Sequence, residues 1–136
     1  MSKQDRFDEW KSPEIIDGVP TKYSWIVQNS DGLELGYKTD IGAFSYINAK
    51  YGVIIEDYVQ IGSHCSLYSL STIDNKEGKV HLKHNAKLGS HSTVLPGVTI
   101  GKNSIIGAHS LVIQDIPDNV VAYGVPAKVV RNLDER

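Results

Sequence analysis

Residues 94–112 read VLPGVTIGKNSIIGAHSLV, and an aliphatic side chain returns there at every sixth position. The same spacing runs through most of the chain, and glycine often follows the aliphatic residue. A period of six matches neither the 3.6 residues of a helix nor the two of a β-strand. The aliphatic series is Leu35, Ile41, Ile47, Ile55, Ile61, Leu67, Ile73, Leu82, Leu88, Val94, Ile100, Ile106 and Val112.

This period fits a solenoid in which each coil has three short strands, one for every six-residue rung. The aliphatic residue points inward, and a small or medium residue four positions later fills the narrow interior. Stacked coils then pair their backbone groups, with neighbouring strands about 4.8 Å apart. Stacking buries each inward Leu, Ile or Val, which contributes roughly 1.5–3 kcal/mol per side chain. We therefore predict an all-β solenoid over residues 35–117.

The segments outside the regular period predict a cap, loops and a tail. Residues 1–34 lack the period and hold Trp10 and Trp25, which is typical of an irregular lead and cap over an open strand edge. The period is two residues too long after Ile47 and three too long after Ile73. The second break predicts that residues 74–79 bulge out as a loop. Because Pro117 cannot continue a strand ladder, residues 118–136 are predicted to form a tail with a strand-like run and a short terminal helix.

The composition argues against several classes of protein. The 136 residues carry a net charge of −2, so no basic surface indicates a nucleic-acid partner. No apolar run approaches the roughly 18 residues that cross a bilayer, and no signal-peptide core follows Met1. The single cysteine, Cys65, stands at an inward small-residue position and suits a reducing compartment. We therefore expect one cytoplasmic domain without a membrane span.

Two motifs together carry a resemblance to a known family. They are the coil LPGVTIG at residues 95–101 and the tail GVPAK at residues 124–128. Over about residues 47–133 the chain closely resembles hexapeptide-repeat acetyltransferases of the galactoside, maltose and nodulation-factor branch. The resemblance implies a left-handed parallel β-helix and a homotrimer with active sites between neighbouring chains. It also implies acetyl-coenzyme A as the acyl donor.

The resemblance also implies which residues contact the donor and the acceptor. Ser90, Ala108 and Ile113 stand where the galactoside enzymes line the pantetheine channel. Lys128 and Arg131 match basic tail residues that meet the phosphates of the coenzyme. Lys128 replaces an arginine of that branch, which keeps the charge but loses a bidentate fork.

Two further residues are candidates for contact with the acceptor. Asn48 stands roughly where the branch has an acceptor-binding asparagine. Asp74, at the entrance of the predicted loop, would orient a histidine or bind an acceptor hydroxyl or amine. An equally good interpretation makes Asp74 a turn-forming residue beside Asn75.

The catalytic base is the point at which the chain departs from the family. In that branch a His-Pro pair follows the strand equivalent to Leu67, whereas Thr72 occupies that place here. A hydroxyl acceptor needs a general base, and the ordinary pKa of histidine, about 6.5, suits that role. Counting three rungs per coil places His91 one coil above Thr72, with His109 above it, and His64 on another corner under Asn85. His91 and His64 are therefore the candidate bases, and the remaining histidines are expected at the surface.

The resemblance implies an acyltransferase that moves acetyl to a hydroxyl or amine of a sugar or nucleotide-linked sugar in surface-polysaccharide synthesis. Two alternatives stay open. Zinc enzymes of the γ-carbonic-anhydrase type share the fold, but zinc needs three imidazoles about 2.0–2.1 Å from one point. His81 and His84 are close in sequence and no third histidine obviously joins them, so no metal is predicted. The other alternative is an inactive structural or partner subunit, because Thr72 stands at the base position.

Overall fold

The computed structural model describes residues 9–134, which wind into a solenoid of short β-strands. The strands are β1 Ile26–Gln28, β2 Leu33–Leu35, β3 Asp40–Ile41, β4 Tyr46–Asn48, β5 Val53–Ile55, β6 Gln60–Ile61, β7 Ser66–Tyr68, β8 Leu70–Ser71, β9 Lys76–Glu77, β10 Val80–Leu82, β11 Lys87–Leu88, β12 Thr93–Val94, β13 Thr99–Ile100, β14 Ile105–Ile106, β15 Leu111–Val112, β16 Val120–Gly124 and β17 Ala127–Asn132. Sheet 1 has the order β1-β4-β7-β12-β15, sheet 2 the order β13-β10-β5-β2, and sheet 3 the order β17-β16-β14-β11-β6-β3.

Three corners connect these sheets and recur in successive coils. The histidine corner leads from sheet 3 to sheet 1 and comprises residues 42–45, 62–65, 89–92 and 107–110. The hairpin corner leads from sheet 1 to sheet 2 and comprises residues 49–52, 69–79 and 95–98. The asparagine corner leads from sheet 2 to sheet 3 and comprises residues 36–39, 56–59, 83–86 and 101–104.

The core is a column of aliphatic side chains on the inner face of each sheet. In sheet 1, Ile47, Leu67, Val94 and Val112 lie in parallel register on successive coils and are all fully buried. Each inward residue therefore packs on the equivalent residue of the coil below and the coil above. This arrangement confirms the predicted all-β solenoid and the inward direction of the aliphatic residue in these rungs.

Small polar residues fill the interior of the histidine corner. Ser45, Ser92 and Ser110 are buried there, and each hydroxyl donates to a backbone carbonyl of Gly62 or Gly107 at 2.7–3.2 Å. Hydrogen bonds of this kind remove the penalty of burying a hydroxyl. Throughout residues 9–134, no buried side-chain nitrogen or oxygen lacks a hydrogen-bond partner.

The regular coils begin earlier than the six-residue period indicates. Strand β1 pairs in parallel with β4, with Val27 beside Ile47, so the solenoid starts at Ile26 rather than at residue 35. Trp25 is buried and covers the first coil, and the indole of Trp10 donates to the carbonyl of Thr39 at 2.8 Å. Of the cap predicted for residues 1–34, residues 1–8 lie outside the described part of the chain.

The largest insertion is a small antiparallel hairpin at the hairpin corner. Strands β8 and β9 pair, with Leu70 opposite Glu77 and Ser71 opposite Lys76. The insertion therefore starts before the predicted bulge at residues 74–79. Ile73 is 97% exposed near the tip of the hairpin, so the prediction that it is an inward rung residue is wrong. Its hydrophobicity and its spacing from Leu67 imitate the repeat although the chain has already left the solenoid.

The C-terminal segment continues sheet 3 after the coils end. Strand β16 pairs in parallel with β14 and then turns back into the antiparallel β17. The predicted strand-like run is therefore present, but it ends in strand up to Asn132 and not in the predicted short helix. Among residues 9–134, no helix is long and apolar enough to cross a membrane.

Candidate active site

Three histidines form one column at the histidine corner. The rings of His64 and His91 are stacked with centroids 4.6 Å apart, and those of His91 and His109 with centroids 4.8 Å apart. The ring of Phe44 continues the column at 5.2 Å from His64. All four side chains are exposed, so this corner presents a line of aromatic rings to solvent.

This column corrects the placement of His64 obtained by counting rungs. His64 lies directly under His91, and not under Asn85 on another corner. Thr72 lies in the hairpin, across sheet 1 from His91, so it does not share the corner of that histidine. Both differences arise because Ile73 has the six-residue spacing but forms no rung: the spacing is 27 residues from His64 to His91 but 18 from His91 to His109. The excess of nine residues belongs to the hairpin.

Two of the predicted coenzyme contacts lie on this same corner. Ser90 precedes His91 and Ala108 precedes His109, and the amide of His109 donates to the carbonyl of Ser90 at 2.9 Å. The coils approach closely here, because a Cβ on Gly89 would lie 2.5 Å from the amide nitrogen of Ala108. The result is a narrow track of small side chains beside the histidine rings.

The tail brings one basic residue to the histidine corner and leaves the other farther away. Lys128 pairs with Tyr123, and the side chain of Tyr123 covers Gly107 at the histidine corner. Next to Tyr123, the amide of Gly124 donates to the Ser110 hydroxyl at 3.1 Å. Arg131 pairs with Val121, at the end of β16 nearer the asparagine corner. Lys128 is therefore close to the track formed by Ser90 and Ala108, and Arg131 lies three residues farther along β17.

A cleft of about 400 Å³ lies at the opposite edge of sheet 1, between its outer face and the hairpin. Asn48 lines this cleft, as does Thr72. The Asn48 side-chain oxygen accepts from the Lys50 amide at 3.1 Å, and its nitrogen donates to the Tyr46 hydroxyl at 3.5 Å. Ile113 is exposed at this edge too, five residues beyond Ala108, so it lies across the sheet from the other predicted coenzyme contacts.

Asp74 is exposed at the turn of the hairpin and does not line the cleft. The Ser71 hydroxyl, and to a lesser extent Lys76, lowers the pKa of its carboxyl below the ordinary value. The carboxylate lies 3.6 Å from the Lys76 ammonium. These contacts fit the turn-forming interpretation of Asp74, and acceptor contact stays a prediction.

Sequence reasoning missed a carboxylate–histidine pair on sheet 2. Glu56 Oε2 lies 2.5 Å from His81 Nε2, and Glu56 Oε1 accepts from the His84 amide at 3.1 Å. The two partners lie on neighbouring coils but are 25 residues apart in sequence, a separation that includes the nine residues of the hairpin insertion, so no regular spacing reveals them. The zinc alternative relied on His81 and His84, and within residues 9–134 no group of three or more metal-ligating side chains comes together.

Cys65 is fully buried in the histidine corner, behind the exposed histidines. Desolvation raises the pKa of its thiol, which therefore stays protonated at neutral pH. Its sulfur donates to the carbonyl of Gly89 at 3.2 Å. Cys65 is therefore an inward residue that fills the interior, as its position in the repeat predicts.

Comparison with known proteins agrees with the repeat. The family described as bacterial transferase hexapeptide (six repeats) matches residues 79–114. A galactoside O-acetyltransferase of Lactococcus lactis subsp. lactis (strain IL1403) is 38% identical over 115 residues, covering 74% of this chain and 56% of that protein. The chain thus spans little more than half the length of that enzyme.

Solved structures agree with the architecture. A hexapeptide-repeat acetyltransferase of Vibrio cholerae O1 biovar eltor, complexed with acetyl-coenzyme A, has a TM-score of 0.77 at 24% identity, covering 82% of this chain and 66% of that one. The N-acyltransferase AntD of Bacillus cereus, with dTDP-4-amino-4,6-dideoxyglucose and coenzyme A, has a TM-score of 0.68 at 21% identity, covering 82% and 78%. The fold is therefore a left-handed parallel β-helix. Residues 79–114 match the hexapeptide repeats of this family, which confirms the resemblance carried by the two motifs.

Proposed function

We propose that this chain is an acyltransferase that moves acetyl from acetyl-coenzyme A to a hydroxyl or amine of a sugar or nucleotide-linked sugar. The observation that carries the proposal is the histidine corner, where Ser90 and Ala108 form a track beside stacked imidazoles and Lys128 lies close to one end. The match to a galactoside O-acetyltransferase supports a sugar acceptor. The structural neighbour with a bound amino-sugar nucleotide supports an amine as well as a hydroxyl nucleophile.

The track suits the donor for physical reasons. Small side chains at Ser90 and Ala108 leave room for a slender chain such as pantetheine along the corner. Lys128 and Arg131 supply positive charge on the tail, where the coenzyme phosphates would lie. We propose that these four residues and Ile113 contact the donor. Ile113 lies at the cleft edge of sheet 1, so the donor would have to extend across that sheet to reach it.

The stacked imidazoles supply the candidate for proton transfer. Attack of a hydroxyl on the thioester forms an oxygen–carbon bond and expels the thiolate, so the hydroxyl proton must leave. His64 and His91 both stand beside the track, and we propose that one of them accepts this proton. A neutral amine attacks without that help, so the need for a base separates O-acetyl from N-acetyl transfer.

The predicted acceptor contact lies at the other edge of sheet 1. Tyr68, which lines the cleft, lies four positions after His64 in the sequence. At roughly 3.3 Å per residue, this separation corresponds to about 13 Å of chain. We therefore propose that the working enzyme is a homotrimer in which the histidine corner of one chain meets the cleft of the next. Transfer to precursors of a surface polysaccharide is the biological role that this acceptor class suggests.

The two alternatives predict different properties. A zinc site needs imidazole nitrogens that converge, whereas the three stacked rings are parallel to within 5–7° and their centroids are 4.6–4.8 Å apart. The geometry of one chain therefore does not favour zinc. An inactive subunit would have no need of a donor site, so measurable coenzyme A binding argues against that alternative.

Titration calorimetry with acetyl-coenzyme A tests the donor site. Changing Lys128→Glu and Arg131→Glu together should weaken binding at least about tenfold at low salt, because two phosphate-facing cations become anions. Lys22→Glu and Lys11→Glu, remote from the corner residues 107–110, form a control of equal charge change. Unchanged affinity in the tail variant would reject this donor site.

A further inference from the structure

Ser69, at the base of the hairpin, carries a hydroxyl that is fully buried. This hydroxyl donates to the carbonyl of Asn48 at 2.7 Å and accepts from the amide of Tyr51 at 3.0 Å. Both partners belong to the coil below, at the start and in the middle of the turn that follows strand β4. The hydroxyl therefore ties the first residue of the hairpin corner to that turn.

The buried hydroxyl is not a feature of the repeat. The register of sheet 1 aligns Ser69 with Ala49 in the coil below and with Pro96 in the coil above, and neither side chain can form a hydrogen bond. Neither of those coils has an insertion at this corner, which comprises only residues 49–52 and 95–98 there. The regular coils thus need no hydroxyl at this position, and Ser69 matters to the hairpin more than to the solenoid.

The strand that returns from the tip of the hairpin is held at the same place. The amide of Gly78 donates to the carbonyl of Ser69 at 2.9 Å. A Cβ on Gly78 would lie 2.9 Å from the Cα of Gly97 in the coil above, so a side chain there would force a shift. The base of the hairpin therefore contacts the coil below through Ser69 and the coil above through Gly78.

The groups joined by this base line the two sides of the cleft. Asn48 lies on one side, and its side-chain oxygen is held by the amide of Lys50 at 3.1 Å. Residues 70–73 of the hairpin lie on the other side. Ser69 does not line the cleft itself, but it bonds to the backbone of Asn48 and directly precedes Leu70. One buried hydroxyl therefore sets how far apart the two sides stand.

We propose that Ser69 is a positioning residue for the acceptor, because it fixes the hairpin at a set distance from Asn48, with Gly78 holding the second strand. The inference rests on the proposed acyltransferase and adds a residue that touches neither substrate. A displacement of about 1 Å can cost a group-transfer reaction about 10²-fold in rate, so a small movement of the hairpin is enough to impair transfer.

The test compares Ser69→Ala with Ser104→Ala. Ser104 is an equally buried serine of the asparagine corner, and its hydroxyl likewise donates to a carbonyl, that of Pro117, and accepts from an amide, that of Val120. Both variants lose the same kind of hydrogen bonds, but only Ser69→Ala releases the hairpin. Hydrogen exchange of the amides of residues 70–77 should become at least about tenfold faster in Ser69→Ala and change less than about twofold in Ser104→Ala.

Acetyl transfer to methyl galactoside and to methyl glucosaminide gives the functional measurement, with coenzyme A affinity measured in parallel. Ser69→Ala should lower kcat/KM for the acceptor at least about tenfold and leave coenzyme affinity within about twofold. Ser104→Ala should change neither quantity by more than about twofold. Gly78→Ala should act like Ser69→Ala, because it displaces the other strand at the base of the hairpin.

Equal losses of acceptor kcat/KM in the two serine variants would overturn the proposal, since the effect would then be a general one of stability. Unchanged exchange of the hairpin amides in Ser69→Ala would overturn it too. Failure of the proposed function looks different, because coenzyme A would then not bind and neither glycoside would be acetylated. The exchange of the hairpin amides would still decide whether Ser69 holds the hairpin.

Discussion

The histidines of the column occupy turn positions with a left-handed backbone conformation. His64, His91 and His109 all have φ of +59°, in the left-handed region that glycine and asparagine tolerate best. The equivalent turns of the asparagine corner hold Asn85 and Asn103, whose side chains hydrogen-bond to each other at 2.9 Å. A histidine at such a turn gains only ring stacking in this structure. Lys38, Phe44 and Tyr58 occupy equivalent turns with φ of +54° to +66°, so the positive φ belongs to the turns of this fold, and the role of the imidazoles has to be tested by substitution.

The general-base role is tested by His64→Asn and His91→Asn. Asparagine suits a positive φ, so these variants remove the imidazole without adding backbone strain. General-base catalysis contributes about 10²–10⁴-fold, so loss of the true base should lower kcat at least about tenfold with a hydroxyl acceptor. His109→Asn is the matched control, because it changes the same column and leaves both candidate bases in place.

The pH profile separates the two kinds of acceptor. If the single variants and the double variant keep normal rates across pH 6–9, neither His64 nor His91 is the base. The acceptor is then an amine that arrives deprotonated, and the reaction is N-acetyl transfer. Coenzyme affinity should be unaffected by either change, since neither ring is assigned to the donor.

A glycine beside the track tests how closely the coils must approach. Gly89→Ala would place its Cβ 2.5 Å from the backbone nitrogen of Ala108, which cannot move aside cheaply. We expect a loss of about 3 kcal/mol, the upper end of the range for overpacking. Gly97→Ala meets no atom within 4 Å but has φ of +84°, so it should cost only about 1–2 kcal/mol of backbone strain. Urea unfolding of both variants measures the difference, and equal losses would contradict the steric explanation.

At the scale of the elements, the hairpin is an insertion into a coil that is otherwise regular. In sheet 2, Leu82 pairs with Ile100, which aligns Val80 with Val98. In sheet 1, Leu67 pairs with Val94, which aligns Leu70 with Gly97. Residues 71–79 are therefore the nine extra residues of this coil. They contribute no side chain to the column of sheet 1, so they matter to the cleft more than to the fold.

Deleting residues 71–79 and changing Leu70→Gly should restore an 18-residue coil. Gly97, at the equivalent place one coil above, has a positive φ, which is why glycine is chosen at the junction. We expect the thermal midpoint to stay within about 5 °C, because the buried side chains of sheets 1 and 2 keep their register. Coenzyme affinity should stay normal and acceptor KM should rise sharply. Loss of coenzyme binding would show that the hairpin also supports the donor site.

The same hairpin marks the limit of what the sequence predicts. The period from Leu82 to Val112 places each inward residue correctly, because backbone pairing between coils requires it. Ile73 keeps both the spacing and the hydrophobicity of a rung residue, and only the antiparallel pairing of Leu70 with Glu77 removes it from the core. Motif resemblance named Ser90 and Ala108, which do share a corner. The stacking of His64 on His91 depends on the true length of the inserted coil, which a six-residue count cannot supply.

At the scale of the whole molecule, the proposed donor track and the proposed acceptor cleft lie on opposite edges of sheet 1. Ala108 precedes strand β15 and Ile113 follows it, so the two residues mark the two edges of the sheet. One chain therefore has the proposed donor contacts at one edge of sheet 1 and the proposed acceptor contacts at the other edge. In the proposed trimer, a closed threefold ring would join every such pair, because each chain would present its histidine corner to one neighbour and its cleft to the other.

This arrangement makes a prediction about mixtures of two impaired proteins. The double variant His64→Asn with His91→Asn lacks the proposed base and keeps the cleft, whereas Tyr68→Ala keeps the proposed base and removes an aromatic ring that lines the cleft. Dissociated and reassembled together in equal amounts, they should form complete sites wherever the corner of one meets the cleft of the other. Random assembly puts about one quarter of all sites in that state, so activity should rise to about one quarter of the unmutated level.

In the control, the two variants are assembled separately and mixed without dissociation, and this mixture should gain no activity over the separate variants. Sedimentation analysis shows whether assemblies of three chains form at all, and a monomer at micromolar concentration would remove the basis of the shared site. If the reassembled mixture gains no activity, the histidines and the tyrosine act on the same molecule of substrate within one chain. The acceptor would then have to span sheet 1 over about 13 Å, which requires an acceptor longer than a single pyranose ring.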